Sequence, residues 1–196
     1  AKVVSSIAMF YDLERPMDFV KEVHDILADE GVWIFEQSYL PSMLKTNSYD
    51  TICHEHLEYY SLKSIKWMLD RAGLKIVDAS LNDINGGSIS ITATRNTNQK
   101  LKSAPQVEEL LRSEFEMGIS ELKVFENFAA RVLKHKTDLV RTLTELRAAG
   151  KKIFAYGAST KGNVILQYCG LGLGKVRGHD GIHLSIGGLY SAYGGV

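Results

Sequence analysis

Cysteine is scarce: Cys53 and Cys169 are the only two, and they stand far apart. That rules out a disulfide framework as the basis of the fold and makes a reducing, cytoplasmic setting the default expectation. An excess of one charge sign is missing too. Lys+Arg and Asp+Glu each number 23, so the formal net charge is zero. Such a balance gives no electrostatic footprint for nucleic acid or an anionic membrane, and neither is expected as a partner. No apolar run approaches the ~20 residues of a membrane span. The opening "AKVVSSIAMFYDLERP" has too short an apolar run for a signal peptide, and no small-residue cleavage pattern follows it. What remains is ordinary for a globular protein: 196 residues, 45% of them hydrophobic, enough for one domain or two small ones.

The apolar pattern alternates between two periods. "VVSSIAMF" (Val3 to Phe10) and "VWIFEQSY" (Val32 to Tyr39) read as buried strands. Between them, Phe19, Val20, Val23, Ile26 and Leu27 recur at helical spacing, and Gly31 closes that helix. Leu40 to Ser61 is a polar segment. Ser61 then N-caps a helix whose face is Ile65, Met68 and Leu69 and whose end is Gly73. Trp33 and Trp67 both fall in periodic apolar segments and are expected in the core, as is Cys169. "KIVDASL" and "SISITATR" are two further strands joined by the turn "NDINGG". This order predicts an α/β sheet with helices on both faces and an antiparallel edge. Pro105 to Gly150 is helical in pattern, and "KKIFAYGASTKGNVILQYCG" opens a second strand–turn–helix unit. From about Gly172 the chain is glycine-rich, with no helical face and only a weak strand pattern. The expected division is 1–97, a helical connector 98–150, and a C-terminal α/β unit from 151.

Two stretches carry chemistry. "TICHEHLEYYSL" offers Cys53, His54, Glu55 and His56. All three residue types bind zinc, but neighbours on an extended segment point to opposite sides. A closed zinc site shows ligand pairs at both ends, and no second Cys/His cluster is visible. An acid/base site asks for less: one histidine, whose ordinary pKa of ~6.5 suits a general base, and a carboxylate such as Glu55, Glu58 or the more distant Glu36. A plain solvated loop fits the same composition. The second stretch, "AYGASTKGN", places Gly157 between a strand and a helix beginning near Thr160, with Lys161 adding charge. Helix N-terminal amides and small residues suit a phosphate there. An ordinary tight turn fits equally, because the stretch lacks both G-x-G-x-x-G and G-x-x-x-x-G-K-[ST].

Four segments taken together resemble the sugar C-methyltransferases. They are "SSIAMFYDLERPMDFVKEVHDILADEGVWIFEQSYLPSML", "SYDTICHEHLEYYSL", "INGGSISITATR" and "AYGASTKGNVILQYCGL". That resemblance implies S-adenosylmethionine (SAM) as cofactor and a nucleotide-linked keto-deoxysugar as substrate. It implies the second half of a Rossmann-like methyltransferase sheet, then a C-terminal α/β substrate domain. The family's zinc-binding N-terminal domain and its glycine-rich SAM loop have no counterpart here, so the resemblance implies a partial chain that binds SAM poorly. An apolar sheet edge or face is expected to be exposed. After Leu171 the sequence departs from the family pattern. The family's Tyr-x-Glu-His motif falls on Cys53, His54, Glu55 and His56. It makes His56 the base and Glu55 its partner, and Cys53 stands where tyrosine is typical. Tyr11, Tyr59 or Tyr60 can supply the phenol instead. The resemblance puts the cofactor at Ala8, Met9 and Phe10. It puts the sugar nucleotide at Asn85, Gly86, Tyr156, Gly157, Ala158, Ser159, Lys161, Gly162 and Asn163. Two other readings are a nucleotide-binding module without chemistry and a zinc enzyme built on Cys53, His54 and His56.

Overall fold

The computed structural model describes residues 1–156, 159–171 and 182–185. Two compact units emerge: Ala1–Ser48 with His54–Phe128, and Tyr49–Cys53 with Ala129–Val196.

The first unit is built on a four-stranded sheet in the order β1-β2-β4-β3. Strand β1 (Val3–Ile7) runs parallel to β2 (Val32–Ser38), with Val3 opposite Val32 and Ile7 opposite Glu36. Strand β4 (Ser88–Arg95) lies antiparallel to β2 and to β3 (Leu74–Asn82). The parallel β1–β2 and antiparallel β3–β4 pairings are those expected from the order of strands and helices. β1 stops earlier than its apolar run suggested. Ala8 turns to a left-handed φ of 53°, its N–H bonds to the Glu36 carbonyl at 2.8 Å, and Phe10–Asp12 form one turn of 3-10 helix. This sharp exit swings Phe10 into the core instead of continuing the strand.

Alternation along β2 decides which face is packed. Trp33, Phe35 and Gln37 point inward, and the first two stack at 4.1 Å between ring centroids. Phe10 touches both rings, and Phe19 of α1 (Pro16–Ile26) touches Phe10 and Trp33. Helix α3 (Leu62–Arg71) and helix α4 (Pro105–Met117) complete the same core through Leu62, Ile65, Leu69 and Val107. Helices on both faces were expected, but these three share one face. Val3, Ile7 and Ile34 are exposed on the other. Ile26, expected in the buried face of α1, is also exposed.

Ser61 N-caps α3 as its sequence position implied, accepting from the Ser64 N–H at 3.1 Å. A second cap was not legible. Glu114 of α4 is buried and reaches the same helix end. Its Oε1 accepts from the Leu62 N–H at 2.5 Å and from the Tyr39 hydroxyl at 2.8 Å, and its Oε2 accepts from the Lys63 N–H at 2.9 Å. Burial, reinforced by that carboxylate, drives the Tyr39 phenol well above its ordinary pKa.

Three other expectations change. The polar segment after Tyr39 contains helix α2 (Leu40–Thr46), started by Pro41 and ended by left-handed Asn47, and a 3-10 turn at Tyr49–Thr51. Trp67 is 53% exposed, with the Arg71 guanidinium 4.0 Å above its ring, so it is a surface platform and not core. The glycine-rich tail includes a strand, β6 (Ile182–Ser185), parallel to β5 (Ile153–Tyr156).

In the second unit, helix α5 (Leu122–Ala148) continues from the first, and α6 (Thr160–Tyr168) follows β5. Tyr49 is seated among their side chains. Cys169 is buried, as expected. Burial, and then the Cys169 contact, push the Tyr49 phenol up to about 12. A phenol held above its ordinary ~10 stabilises the fold fully below pH ~10, and that contribution is lost as pH rises through the folded value. The Tyr49→Phe variant should therefore lack one late-titrating phenol in an absorbance titration at 295 nm. It should also lose less stability than the parent between pH 10 and 12. An unchanged titration curve would refute the assignment. Among the described residues, no helix is long and apolar enough to cross a membrane.

Candidate functional site

The exit from β1 brings two predicted residues together. Tyr11 lies in the 3-10 turn directly after the Ala8 kink, and its ring sits 4.4 Å from the His56 ring, centroid to centroid. The backbone fixes this approach: the Leu57 and Glu58 N–H groups both bond to the Tyr11 carbonyl, at 3.0 and 3.1 Å. Tyr11 is buried and His56 half-buried. The pair stands beyond the carboxyl end of a strand of an open sheet, the place where such sheets bind ligands.

The other motif residues arrange themselves differently. Residues 53 to 55 form a bend and a turn, not an extended segment, so alternation does not separate His54 from Glu55. His54 Nε2 instead lies 3.9 Å from Glu55 Oε1, with both side chains exposed. Glu55 is thus nearer a partner of His54 than the orienting carboxylate of His56 that was expected. Cys53 is half-buried and free. Glu36 is held elsewhere, taking a hydrogen bond from Asn82 Nδ2 at 3.0 Å on the strand face opposite Gln37.

Of the three expected cofactor residues, Ala8 is exposed, Met9 packs partly on the core, and Phe10 is wholly buried among aromatic rings. The exposed Ala8 turn, with its left-handed backbone, offers backbone to a ligand. Gly86 has φ of 88°, and a Cβ there would approach Ser48 Oγ to 3.0 Å, so close packing explains this glycine. Asn85 shares the 3-10 turn Ile84–Gly86, but its side chain lies outside the described part, as does that of Tyr156 in β5. Gly157 and Ala158 lie outside the described residues. Ser159 N-caps α6, accepting from the Gly162 N–H at 3.4 Å, while Lys161 and Asn163 follow in the first turn.

Sequence reasoning missed Gln37 and named Tyr60 only as a candidate phenol; both are buried polar residues. Gln37 is 1% exposed, and neither its amide nitrogen nor its oxygen has a hydrogen-bond partner among the described residues. The Tyr60 hydroxyl, in a residue 6% exposed, also has none. Tyr60 packs against Phe10 at 5.2 Å, and burial raises its phenol pKa. The signal for Gln37 was present: residues 33, 35 and 37 of an alternating strand share a face, and only Gln37 is polar. Unpaired buried polar groups cost roughly 1–3 kcal/mol each. Gln37→Leu should therefore stabilise the first unit by a similar amount, measured as a shift in urea midpoint. Destabilisation would show that the amide is satisfied after all.

A family model described as "Methyltransferase domain" matches residues 1–79, and one described as "C-methyltransferase C-terminal domain" matches residues 83–177. The C-methyltransferase NovU of Streptomyces niveus is 33% identical over 177 residues, 90% of this chain; the chain spans 42% of that relative's length. Solved structures overlap more loosely. A chain from the complex of the Haloferax volcanii Trm112 methyltransferase activator with a methyltransferase overlays at a TM-score of 0.42 and 13% identity, covering 48% of this chain and 54% of that one. The O-methyltransferase NcsB1, solved with S-adenosylmethionine, overlays at 0.35 and 16%, covering 47% and 27%. Overlaps of that size carry no argument about chemistry. The two adjoining family matches and the curated relative identify the family, not the reaction: the chain belongs to the C-methyltransferase family.

Proposed function

We propose that the protein takes part in transfer of a methyl group from SAM to a carbon beside the ketone of a nucleotide-linked deoxysugar, with His56 as general base. The observation that carries this reading is the Tyr11–His56 pair beyond the end of β1. A C–H next to a carbonyl is acidic enough for a positioned imidazole to remove its proton. His56 accepts that proton, and the C–H electron pair moves into an enolate whose carbon is the nucleophile. SAM, when bound, would supply the electrophilic methyl, its sulfur keeping the S–CH3 electron pair as S-adenosylhomocysteine leaves. The exposed Ala8 turn, with its left-handed backbone, fits the close approach of such a cofactor, and Met9 beside it adds apolar surface. Tyr11 borders the base and is the phenol best placed to substitute for the one that Cys53 lacks. Tyr60, packed against Phe10 in the turn that bears Tyr11, is a buried donor of the kind that stabilises developing oxyanion charge. Ser159, Lys161, Gly162 and Asn163 at the start of α6, with Gly157 and Ala158, suit the diphosphate of the sugar nucleotide. Tyr156 of the same unit is proposed to join that site, and Asn85 and Gly86 of the first unit are proposed as separate substrate-binding residues.

The test is an isotope experiment with the full-length gene product. Incubated in D2O with SAM and a nucleotide-linked 4-keto-deoxysugar, it should yield methylated sugar. Without SAM it should exchange deuterium into the carbon beside the ketone. Neither product nor exchange with any keto-deoxysugar would overturn the reading.

A further inference from the structure

The 3-10 turn Phe10–Asp12 holds the segment that carries the proposed base at two points, and every residue involved belongs to the first unit. Tyr11 makes the first hold: its carbonyl accepts from the Leu57 and Glu58 N–H groups, at 3.0 and 3.1 Å. Phe10 makes the second: its ring lies 5.2 Å from that of Tyr60, centroid to centroid. The Tyr60 carbonyl in turn accepts from the Leu40 N–H at 2.9 Å, and Ser61 then caps α3. The segment between these holds has little burial of its own. Leu57 is 48% exposed, and Glu58 is exposed as well. Its placement therefore depends on what it is fastened to. The fastening is rigid. Phe10 is 1% exposed and also meets Phe19, Trp33 and Phe35, with centroids 6.1, 5.9 and 5.7 Å away. All four separations fall in the ~4.5–7 Å range of aromatic pairs. In a close-packed interior such a ring has no room to shift without moving its neighbours.

We propose that Phe10 is a positioning residue for His56: locked among four aromatic rings, it fixes the turn from which the base segment hangs. The proposal rests on the reading of His56 given above. Phe10 was expected at the cofactor, but a ring this deeply enclosed has no surface to offer a ligand. It acts instead through Tyr11, next in the chain, and through Tyr60, which follows the base. A base needs its nitrogen within hydrogen-bond reach of the proton it removes, and ~1 Å of misplacement can cost ~10²-fold in rate. The Ala8 kink has a tie of its own, the bond from its N–H to the Glu36 carbonyl. Loosening Phe10 should therefore disturb His56 more than the turn proposed for SAM.

The test is Phe10→Leu in the full-length gene product, which keeps an apolar side chain and removes the ring. Amide hydrogen exchange at Leu57 and Glu58 should quicken several-fold. The kcat for methyl transfer should fall about 10-fold, with KM for SAM close to the parent value. Leu69→Ala truncates the same core on α3 without belonging to these ring contacts. It should lower the urea midpoint while leaving that exchange and kcat near the parent values. Tyr60→Leu breaks the contact with Phe10 and should quicken exchange at Leu57 and Glu58, whereas Tyr60→Phe keeps the ring and should not. Parent-like exchange or parent-like kcat in Phe10→Leu overturns the proposal. So does an equal loss of kcat in Leu69→Ala, which would make the effect one of general stability. Where Phe10→Leu fails to fold, the Tyr60 pair decides, and equal exchange in its two variants overturns the proposal. A parent protein without methyl transfer sinks the reading of His56 as a base, and the proposal with it; an active parent matched by an equally active Phe10→Leu sinks the proposal alone.

Discussion

Replacing His56 with alanine is expected to reduce methyl transfer by ~10²–10⁴-fold, the usual contribution of a positioned general base. Affinity for SAM should stay within a few-fold of the parent, because the imidazole acts on the sugar carbon and not on the cofactor. Added imidazole should recover part of the rate by filling the space beside Tyr11. Neighbouring substitutions sharpen the comparison. His54 and Glu55 face each other in solvent, 3.9 Å apart. His54→Ala and Glu55→Gln should therefore each cost less than tenfold, well below the loss at His56. Tyr11→Phe keeps the ring against His56 and removes only the hydroxyl, so it isolates the phenol's share. Activity of His56→Ala within tenfold of the parent would remove His56 from the base role. A loss at His54 equal to that at His56, together with stoichiometric zinc in the purified protein, would instead establish the metal reading.

The second large effect concerns stability. Glu114→Ala should cost ~3–5 kcal/mol, because removing one member of a buried charged network leaves its partners stranded. Three donors lose their acceptor at once: the Tyr39 hydroxyl and the N–H groups of Leu62 and Lys63. The carboxylate also sits at the positive end of α3, where a negative charge is favoured. Glu114→Gln keeps one acceptor oxygen and should cost about half as much. Urea unfolding followed by circular dichroism measures both. A loss below ~1 kcal/mol for the alanine variant would mean that water replaces the carboxylate and that the cap is not essential.

The parts of this fold that obey a single local rule were legible in the sequence. β1 and β2 announced themselves as short apolar runs, the second rich in β-branched and aromatic residues, β3 and β4 by the turn at "NDINGG" between them, and the Ser61 cap by its position before an apolar face. α2 was missed because its few apolar residues sit in a polar stretch, although Pro41 near its start and Asn47 at its end are ordinary boundary signals. Trp67 was misplaced by composition: Ile65 and Leu69 share one face of α3, and a residue two positions from either lies on the far side. The Tyr11–His56 meeting was visible only through family resemblance, since the residues that create it are 45 apart in the chain. Glu114 was beyond reach for a related reason. Nothing within α4 distinguishes a glutamate that turns inward to cap another helix from its solvated neighbours.

The contrast between the two tryptophans has a practical side. Trp33 is enclosed by Phe10, Phe19 and Phe35, with its indole N–H bonded to Ser6 Oγ at 3.0 Å, whereas Trp67 lies at the surface beneath a guanidinium. Their emission should separate into a blue, quencher-resistant component and a red, quencher-sensitive one. Phe10, the residue joining Trp33 to the turn that bears Tyr11, makes the blue component a built-in optical reporter. With Trp67→Phe as a silent background, the fluorescence of the protein would follow events at the β1 exit without any attached label.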